Sequence, residues 1–77
     1  MSFAEIEVTV DGARAAITLN RPDKLNPLST TTLTELVEAA RELDTRSGVK
    51  VAVISGRGRA FSAGADLASF AAQAGPP

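Results

Sequence analysis

One glycine-rich stretch decides how this sequence is read: Ser55-Gly56-Arg57-Gly58-Arg59-Ala60-Phe61-Ser62-Ala63-Gly64-Ala65-Asp66-Leu67. It follows an apolar run at residues 49–54 and precedes an alanine-rich tail. This order predicts a strand, a glycine turn and a helix that begins near Asp66. Small residues let the backbone approach a ligand closely, and the first turn of a helix directs unpaired N–H groups at it. The stretch is therefore a candidate binding site, and the alternative is a turn that only redirects the chain.

The glycine spacing does not match the common nucleotide-binding motifs. A dinucleotide-binding fingerprint needs a third glycine where Phe61 stands, and the stretch from Gly58 does not end in the Gly-Lys-Ser/Thr of a phosphate loop. Arg57 and Arg59 form a close basic pair that could contact a phosphate, but two arginines on a surface turn are more often solvated. The spacing alone therefore leaves the ligand open.

Alternating side chains predict a hairpin before this stretch. Residues 5–10 alternate between polar and apolar with the period of two that is typical of a half-buried strand. We expect Asp11-Gly12 to supply the positive-φ residues of a two-residue turn, and residues 13–19 to return as a second strand. That second strand carries three apolar side chains on one face: Ala15, Ile17 and Leu19.

A loop and an amphipathic helix are expected next. Two prolines and two asparagines predict an extended loop over residues 20–28. Ser29 is the expected N-cap of a helix over residues 30–44, which ends before Ser47-Gly48. The helical period gives an apolar face of Leu33, Leu36, Val37, Ala40 and Leu43. The opposite face carries Glu35, Glu38, Arg41 and Glu42, which we interpret as solvated charges. Glu38 and Glu42, four residues apart beside Arg41, are therefore not interpreted as an acid–base pair.

Residues 49–54 complete an α/β unit. Their near-continuous apolar run is typical of a strand buried on both faces of a parallel sheet. A hairpin, a crossover helix and this strand give the order ββαβ in one domain over residues 1–77. The alanine-rich residues 67–74 predict a further short helix, which stops at Gly75-Pro76-Pro77.

Composition narrows the function classes. The 77 residues carry 8 Lys and Arg against 9 Asp and Glu, a net charge of −1, and the charges are scattered, so no nucleic-acid partner or basic membrane patch is expected. The sequence has no cysteine and no histidine, which removes thiolate catalysis and the commonest general base and metal ligand, so no metal site is predicted. With no basic leader and no apolar run of membrane length, we expect a cytoplasmic protein.

Two separated motifs resemble the enoyl-CoA hydratase/isomerase family, the crotonase superfamily. They are Leu19-Asn20-Arg21-Pro22-Asp23-Lys24-Leu25-Asn26 and Ala60-Phe61-Ser62-Ala63-Gly64-Ala65-Asp66-Leu67. A predicted helix and strand lie between them, and the similarity extends over about residues 8–67. The resemblance is to the amino-terminal portion of the family domain. It implies an α/β fold, a crotonase-like spiral of ββα units, of which this chain holds the first unit, the next buried strand and a short helix.

The resemblance also implies roles for individual residues. Members stabilise the enolate of an acyl-CoA thioester in an oxyanion hole, and the N–H of Ala65 corresponds to one of its two donors. The residues that correspond to the path of coenzyme A are Lys24, Leu25, Ala63, Ala65, Asp66 and Leu67. Coenzyme A is part of the substrate, so no separate cofactor is implied. Full-length members are expected to form homotrimers or hexamers.

Part of the family's active site has no counterpart in this sequence. The second oxyanion donor and the acid and base glutamates of the hydratases lie later in the family domain, and no glutamate follows Leu67 here. We therefore do not expect the chain alone to hydrate a 2-enoyl-CoA.

Three interpretations stay open at this point. The first is the amino-terminal piece of an enoyl-CoA hydratase, a lyase of fatty acid metabolism, and coding DNA that continues in frame beyond Pro77 would favour it. The second is a short, catalytically inactive module that binds acyl-CoA or assembles with a relative. The third is a structural fragment without a ligand. Because the resembled family also contains isomerases and thioester hydrolases, the reaction is open as well.

Overall fold

The computed structural model describes residues 2–66, which form five strands, one α-helix and one 3₁₀ turn. In chain order these are β1 (Ile6–Asp11), β2 (Arg14–Leu19), the 3₁₀ turn (Pro22–Lys24), β3 (Pro27–Leu28), α1 (Thr30–Asp44), β4 (Val51–Gly56) and β5 (Gly64–Ala65). Strands β1, β2 and β4 form one sheet in the order β1-β2-β4, and β3 pairs with β5. The predicted ββαβ order is confirmed, and the short helix predicted over residues 67–74 lies outside the described residues.

The hairpin has the predicted faces but turns one residue later than expected. Asp11 pairs with Arg14, so the turn consists of Gly12 and Ala13. Only Gly12 has a positive φ, 62°, and Asp11 belongs to β1. A positive φ at the first central residue alone is the geometry of a type II′ turn, which favours glycine there. The apolar side chains that the hairpin buries are Ile6, Val8, Ala15, Ile17 and Leu19.

Helix α1 has the predicted bounds and the predicted cap. The Thr32 N–H donates to Ser29 Oγ at 3.1 Å, which makes Ser29 the N-cap. The predicted apolar face is only partly right, because Val37 is 50% exposed and Leu33 is 37% exposed. The side chains that α1 buries are Thr32, Ala39 and Leu43. The helix is therefore rotated by about one position from the expected orientation, and a polar side chain, Thr32, faces the sheet.

Strand β4 is parallel to β2, as predicted, but it is not buried on both faces in the part of the chain that the structure describes. Its side chains are exposed, with Val51 at 52% and Ile54 at 50%. Within that part, β4 has β2 as its one neighbour in the sheet and α1 packs against β1 and β3 instead. An open groove of about 330 Å³ lies between β4 and the end of α1. The apolar pattern therefore predicted the strand and not its burial.

The loop predicted over residues 20–28 contains regular structure. Pro22 begins the 3₁₀ turn, because proline fixes φ near the helical value at a position where no N–H is needed. Leu25 ends that turn with a φ of 62°, and Asn26 follows with a φ of 51°. Two left-handed residues in succession redirect the chain into β3. The expectation of an extended loop was therefore wrong at the 3₁₀ turn and at β3.

The end of β4 packs against the backbone of the glycine-rich stretch. A Cβ placed on Gly56 would lie against the carbonyl oxygen of Phe61, 2.6 Å from Phe61 Cα and 2.7 Å from the carbonyl oxygen of Ala60. These neighbours are backbone atoms, which cannot rotate away as a side chain can. Only glycine leaves room for this contact.

We predict that Gly56→Ala destabilises the chain by about 1–3 kcal/mol, the usual cost of forcing an extra methyl group into a packed site. Chemical denaturation followed by circular dichroism measures the free energy of unfolding. The matched control is Gly48→Ala, since a Cβ on Gly48 meets nothing within 4 Å. Equal losses in the two variants would contradict the packing argument.

Candidate functional site

The two sequence motifs meet in the structure. Strands β3 and β5 pair in parallel, with Pro27 opposite Gly64 and Leu28 opposite Ala65. The Ala63 N–H donates to the Leu25 carbonyl at 2.7 Å. These bonds bring together the predicted site residues Lys24, Leu25, Ala63, Ala65 and Asp66. Leu67, the remaining predicted site residue, lies outside the described residues.

The direction of the Ala65 N–H follows from the bonds of its neighbour. Successive residues of an extended strand direct their N–H groups to opposite sides. The Asp66 N–H donates to the Leu28 carbonyl at 3.1 Å, so that of Ala65 points away from β3. Ala65 is also exposed. Its amide is therefore directed at the side of β5 that β3 does not occupy, where a ligand oxygen could accept its hydrogen bond.

The loop that carries Lys24 and Leu25 is held in a tight turn. The Leu25 N–H donates to the Pro22 carbonyl at 3.2 Å and the Asn26 N–H to the Arg21 carbonyl at 2.9 Å. Leu25 is half-buried, whereas Lys24 is exposed at the end of the 3₁₀ turn. The ammonium group of Lys24 is therefore accessible from solvent and lies close to β3.

Sequence reasoning missed the residue that connects these two segments. Asn26 is 2% exposed and its side chain makes three hydrogen bonds. Its Oδ1 accepts from the Arg21 N–H at 2.7 Å, and its Nδ2 donates to the carbonyls of Arg57 at 2.9 Å and Ala60 at 3.0 Å. Asparagine in a proline-containing loop signals a turn, and nothing in the sequence indicated partners more than 30 residues away.

Ser62 forms a second link between the segments. Its hydroxyl donates to the Asn26 carbonyl at 2.7 Å and accepts from the Gly64 N–H at 2.9 Å. Gly64, directly before Ala65, is thus held by a serine side chain in addition to its pairing with Pro27. Sequence reasoning treated Ser62 only as a small residue, because a hydroxyl that bridges two backbone groups leaves no pattern.

The arginines of the glycine-rich stretch show no shared phosphate site among the described residues. The Arg57 guanidinium lies 2.7 Å from Glu7 Oε2 in an exposed ion pair, and Arg59 is exposed. Because Arg57 already has a carboxylate partner, a surface role fits it better than a phosphate-binding role.

Glu5 joins the loop to the start of α1. Its carboxylate accepts hydrogen bonds from Ser29 Oγ at 2.7 Å and Thr32 Oγ1 at 2.8 Å, and it lies 3.1 Å from the Arg21 guanidinium. Burial raises the pKa of Glu5, but the two hydroxyl donors and the charge of Arg21 outweigh it, so the pKa is lowered. The negative charge of Asp66 acts in the opposite direction and raises the pKa. Glu5 is therefore held as a carboxylate.

Residues 2–66 contain no group of three or more His, Cys, Asp or Glu side chains that could hold a metal ion. Helix α1, the one α-helix among these residues, is too short and too polar to cross a membrane.

The family described as enoyl-CoA hydratase/isomerase matches residues 10–75. A Mycobacterium bovis protein named probable enoyl-CoA hydratase is 39% identical over 92% of this chain and 28% of its own length. The crystal structure of an enoyl-CoA hydratase/isomerase from Mycobacterium paratuberculosis matches with a TM-score of 0.82 and 49% identity, over 87% of this chain and 26% of that protein. A probable enoyl-CoA hydratase/isomerase from Mycobacterium abscessus matches with a TM-score of 0.88 and 40% identity, over 99% of this chain and 30% of that protein. The chain thus spans about a quarter of the length of the curated relatives that it matches.

We predict that Glu5 stabilises the fold above pH 4.5 and that this contribution is lost as the pH falls. A carboxyl group whose pKa is lowered from 4.5 on folding favours the folded state only while it is ionised. The free energy of unfolding is measured between neutral pH and pH 3 for the unsubstituted chain and for Glu5→Gln. The difference between them should shrink below pH 4.5. Glu38→Gln, at an exposed carboxyl on α1, reports the general effect of removing one charge, and a pH-independent difference for Glu5→Gln would contradict the assignment.

Proposed function

The chain belongs to the enoyl-CoA hydratase/isomerase family, and on that premise we propose that it binds acyl-CoA thioesters and offers the Ala65 N–H as an oxyanion donor. The observation that carries the proposal is the β3–β5 pairing, which brings the loop with Lys24 and Leu25 against Gly64-Ala65. All the predicted site residues except Leu67 lie within residues 2–66. Their juxtaposition supports one ligand that contacts both.

The proposed chemistry is the stabilisation of a thioester enolate. When water adds to a 2-enoyl-CoA, a general base takes one proton from the water as its oxygen bonds to the β carbon. The electrons of the α–β double bond form a new double bond between the α carbon and the carbonyl carbon, and the carbonyl π electrons move onto the thioester oxygen. A general acid then gives a proton to the α carbon, and the carbonyl double bond forms again. The negative oxygen formed on the way needs prearranged donors in a site that excludes water. The exposed Ala65 and the direction of its N–H, away from β3, support this role.

The acid and base of this reaction are not proposed among these residues. By family resemblance they are glutamates later in the domain, together with a second oxyanion donor, and no glutamate follows Leu67 in this sequence. The hydratase activity is therefore proposed for the family domain as a whole, of which these residues are the amino-terminal portion. Residues 1–77 alone are proposed to bind and not to turn over.

The coenzyme A part of the substrate is proposed to run along the joined segments. Lys24 and Leu25 would meet its adenosine end, and Ala63, Asp66 and Leu67 would line the adenine and pantetheine path. The exposed ammonium group of Lys24 supports this, because it can pair with an anionic group of the ligand. Arg57 is less suited to that role, because it already pairs with Glu7. No separate cofactor is required.

A binding module without catalysis is the second candidate. The observation that favours it is that the two segments are joined to each other within residues 2–66, by the β3–β5 pairing and by the bond from the Ala63 N–H to the Leu25 carbonyl. A structural role without a ligand is the third.

The trimeric or hexameric assembly expected for the family is a proposal too, and the exposed apolar side chains of Val37, Val51 and Ile54 would suit contact with further protein surface.

We predict that Ala65→Pro lowers the rate of hydration about 100- to 1000-fold, the usual cost of removing one oxyanion donor. The assay follows the loss of the conjugated enoyl group of but-2-enoyl-CoA. It uses a chimera in which residues 1–66 replace the matching part of the Mycobacterium bovis relative. Ala65→Gly keeps the N–H and is the matched control. Unchanged turnover by a folded Ala65→Pro protein would remove the oxyanion assignment.

We predict that Lys24→Glu weakens binding of but-2-enoyl-CoA to the 77-residue chain about fivefold, since reversing an exposed charge changes the interaction by about 1 kcal/mol. Isothermal titration calorimetry at low and high salt measures the affinity, and the difference should narrow at high salt. Lys50→Glu makes the same change in charge directly before β4, at the opposite end of the sheet. If the unsubstituted chain binds no acyl-CoA, the binding proposal fails and the structural role gains.

A further inference from the structure

We infer that Asn26 is a positioning residue that holds the Ala65 amide in place by joining the glycine-rich stretch to the loop before β3. The catalytic consequence rests on the proposed function, whereas the ordering of the segment does not. Asn26 itself is not expected to contact substrate. It is 2% exposed, and its side-chain oxygen and nitrogen already bond to backbone groups of the chain.

The side chain of Asn26 holds the glycine-rich stretch by two hydrogen bonds. Both hydrogens of Nδ2 are used, one on the carbonyl of Arg57 and one on the carbonyl of Ala60, 31 and 34 residues away in the sequence. Meanwhile Oδ1 accepts from the Arg21 N–H, which fixes the orientation of the amide group. The two carbonyls therefore have set positions relative to the loop.

The backbone of Asn26 acts on the same stretch nearer to Ala65. Its carbonyl accepts a hydrogen bond from the Ser62 hydroxyl at 2.7 Å. The Ser62 hydroxyl oxygen in turn accepts a hydrogen bond from the Gly64 N–H at 2.9 Å. Two hydrogen bonds thus lead from Asn26 to the residue before Ala65. With the two side-chain bonds, they hold the stretch at three points between Arg57 and Gly64.

No other residue type meets all the requirements at this position. The φ of 51° is a left-handed value that asparagine, aspartate and glycine adopt more readily than other residues. Aspartate keeps the acceptor for Arg21 but has no N–H for the two carbonyls. Glycine keeps the backbone conformation but makes none of the three side-chain bonds. Both substitutions therefore remove the donor bonds while the left-handed conformation stays accessible.

The expected consequence is a change in rate rather than in substrate affinity. A displacement of about 1 Å at a reacting group costs on the order of 100-fold in rate, whereas contacts to the distant parts of coenzyme A stay in place. Loss of an interaction that is made only in the transition state lowers kcat and kcat/KM together.

The first experiment measures amide hydrogen exchange in the 77-residue chain by NMR. In Asn26→Gly and Asn26→Asp, the amides of Ala63 and Asp66 should exchange at least about fivefold faster, the change that corresponds to the loss of one donor bond of about 1 kcal/mol. The amide of Ile17 in the hairpin should not change. Asn20→Gly is the matched control, because Asn20 makes one exposed side-chain bond, to Glu7 at 3.0 Å.

The second experiment measures kcat and KM for but-2-enoyl-CoA in the chimera described above. We expect both Asn26 variants to lower kcat about 100-fold with little change in KM, and Asn20→Gly to leave both unchanged. Ser62→Ala should lower kcat in the same way, and Ser62→Thr, which keeps the hydroxyl, should restore it. A purely structural role would reduce the folded fraction and leave the kcat of the folded protein unchanged.

Each outcome decides the inference. Faster exchange with lower kcat supports it, and faster exchange with unchanged kcat shows that Asn26 orders the segment without positioning a reacting group, which overturns it. Unchanged exchange overturns it whatever the rates. If the unsubstituted chimera has no activity, the proposed function fails, and the exchange data alone then decide whether Asn26 holds the segment that contains Ala65.

Discussion

Two consecutive left-handed residues, Leu25 at a φ of 62° and Asn26 at 51°, determine where the segments of the candidate site meet. A left-handed conformation costs about 1–2 kcal/mol for a residue such as leucine, so it persists only where neighbouring bonds compensate. Here the Leu25 carbonyl accepts from Ala63 and the buried Asn26 side chain makes three bonds. The β3–β5 pairing depends on this turn, because a continued 3₁₀ or extended chain would not run beside Gly64-Ala65.

Two glutamates connect this turn to the rest of the fold. Glu5 accepts hydrogen bonds from Ser29 and Thr32 at the start of α1 and pairs with Arg21, which itself precedes the turn. Glu35, one helical turn further along, accepts from the N–H groups of Ala4 and Glu5, both at 2.7 Å. The start of β1 is therefore fixed to α1 by carboxylates as well as by the apolar core. This explains why Thr32 faces the sheet while Val37 is exposed.

Sequence pattern predicted what depends on a residue's own neighbours in the chain. The alternation in the hairpin, the Ser29 cap and the bounds of α1 are of this kind, and the structure confirms them. Burial was predicted less well. The apolar run ending at Ile54 indicates a strand with apolar faces, but it does not indicate which element covers them. Asn26 was missed for a related reason: its partners are carbonyls more than 30 residues away. The expectation that Glu35 is a solvated charge was wrong for the same reason, because its partners are the N–H groups of Ala4 and Glu5, 31 and 30 residues away.

The glycine-rich stretch is held almost entirely by hydrogen bonds. None of residues 57–66 is buried, and Phe61, its largest apolar side chain, is 58% exposed. The buried apolar core lies instead in β1, β2 and α1. A segment without buried apolar anchors owes its position to a few hydrogen bonds of about 1 kcal/mol each. The geometry around Ala65 and the stability of the hairpin are therefore separable, since the loss of one bond from Asn26 or Ser62 moves the first without unfolding the second.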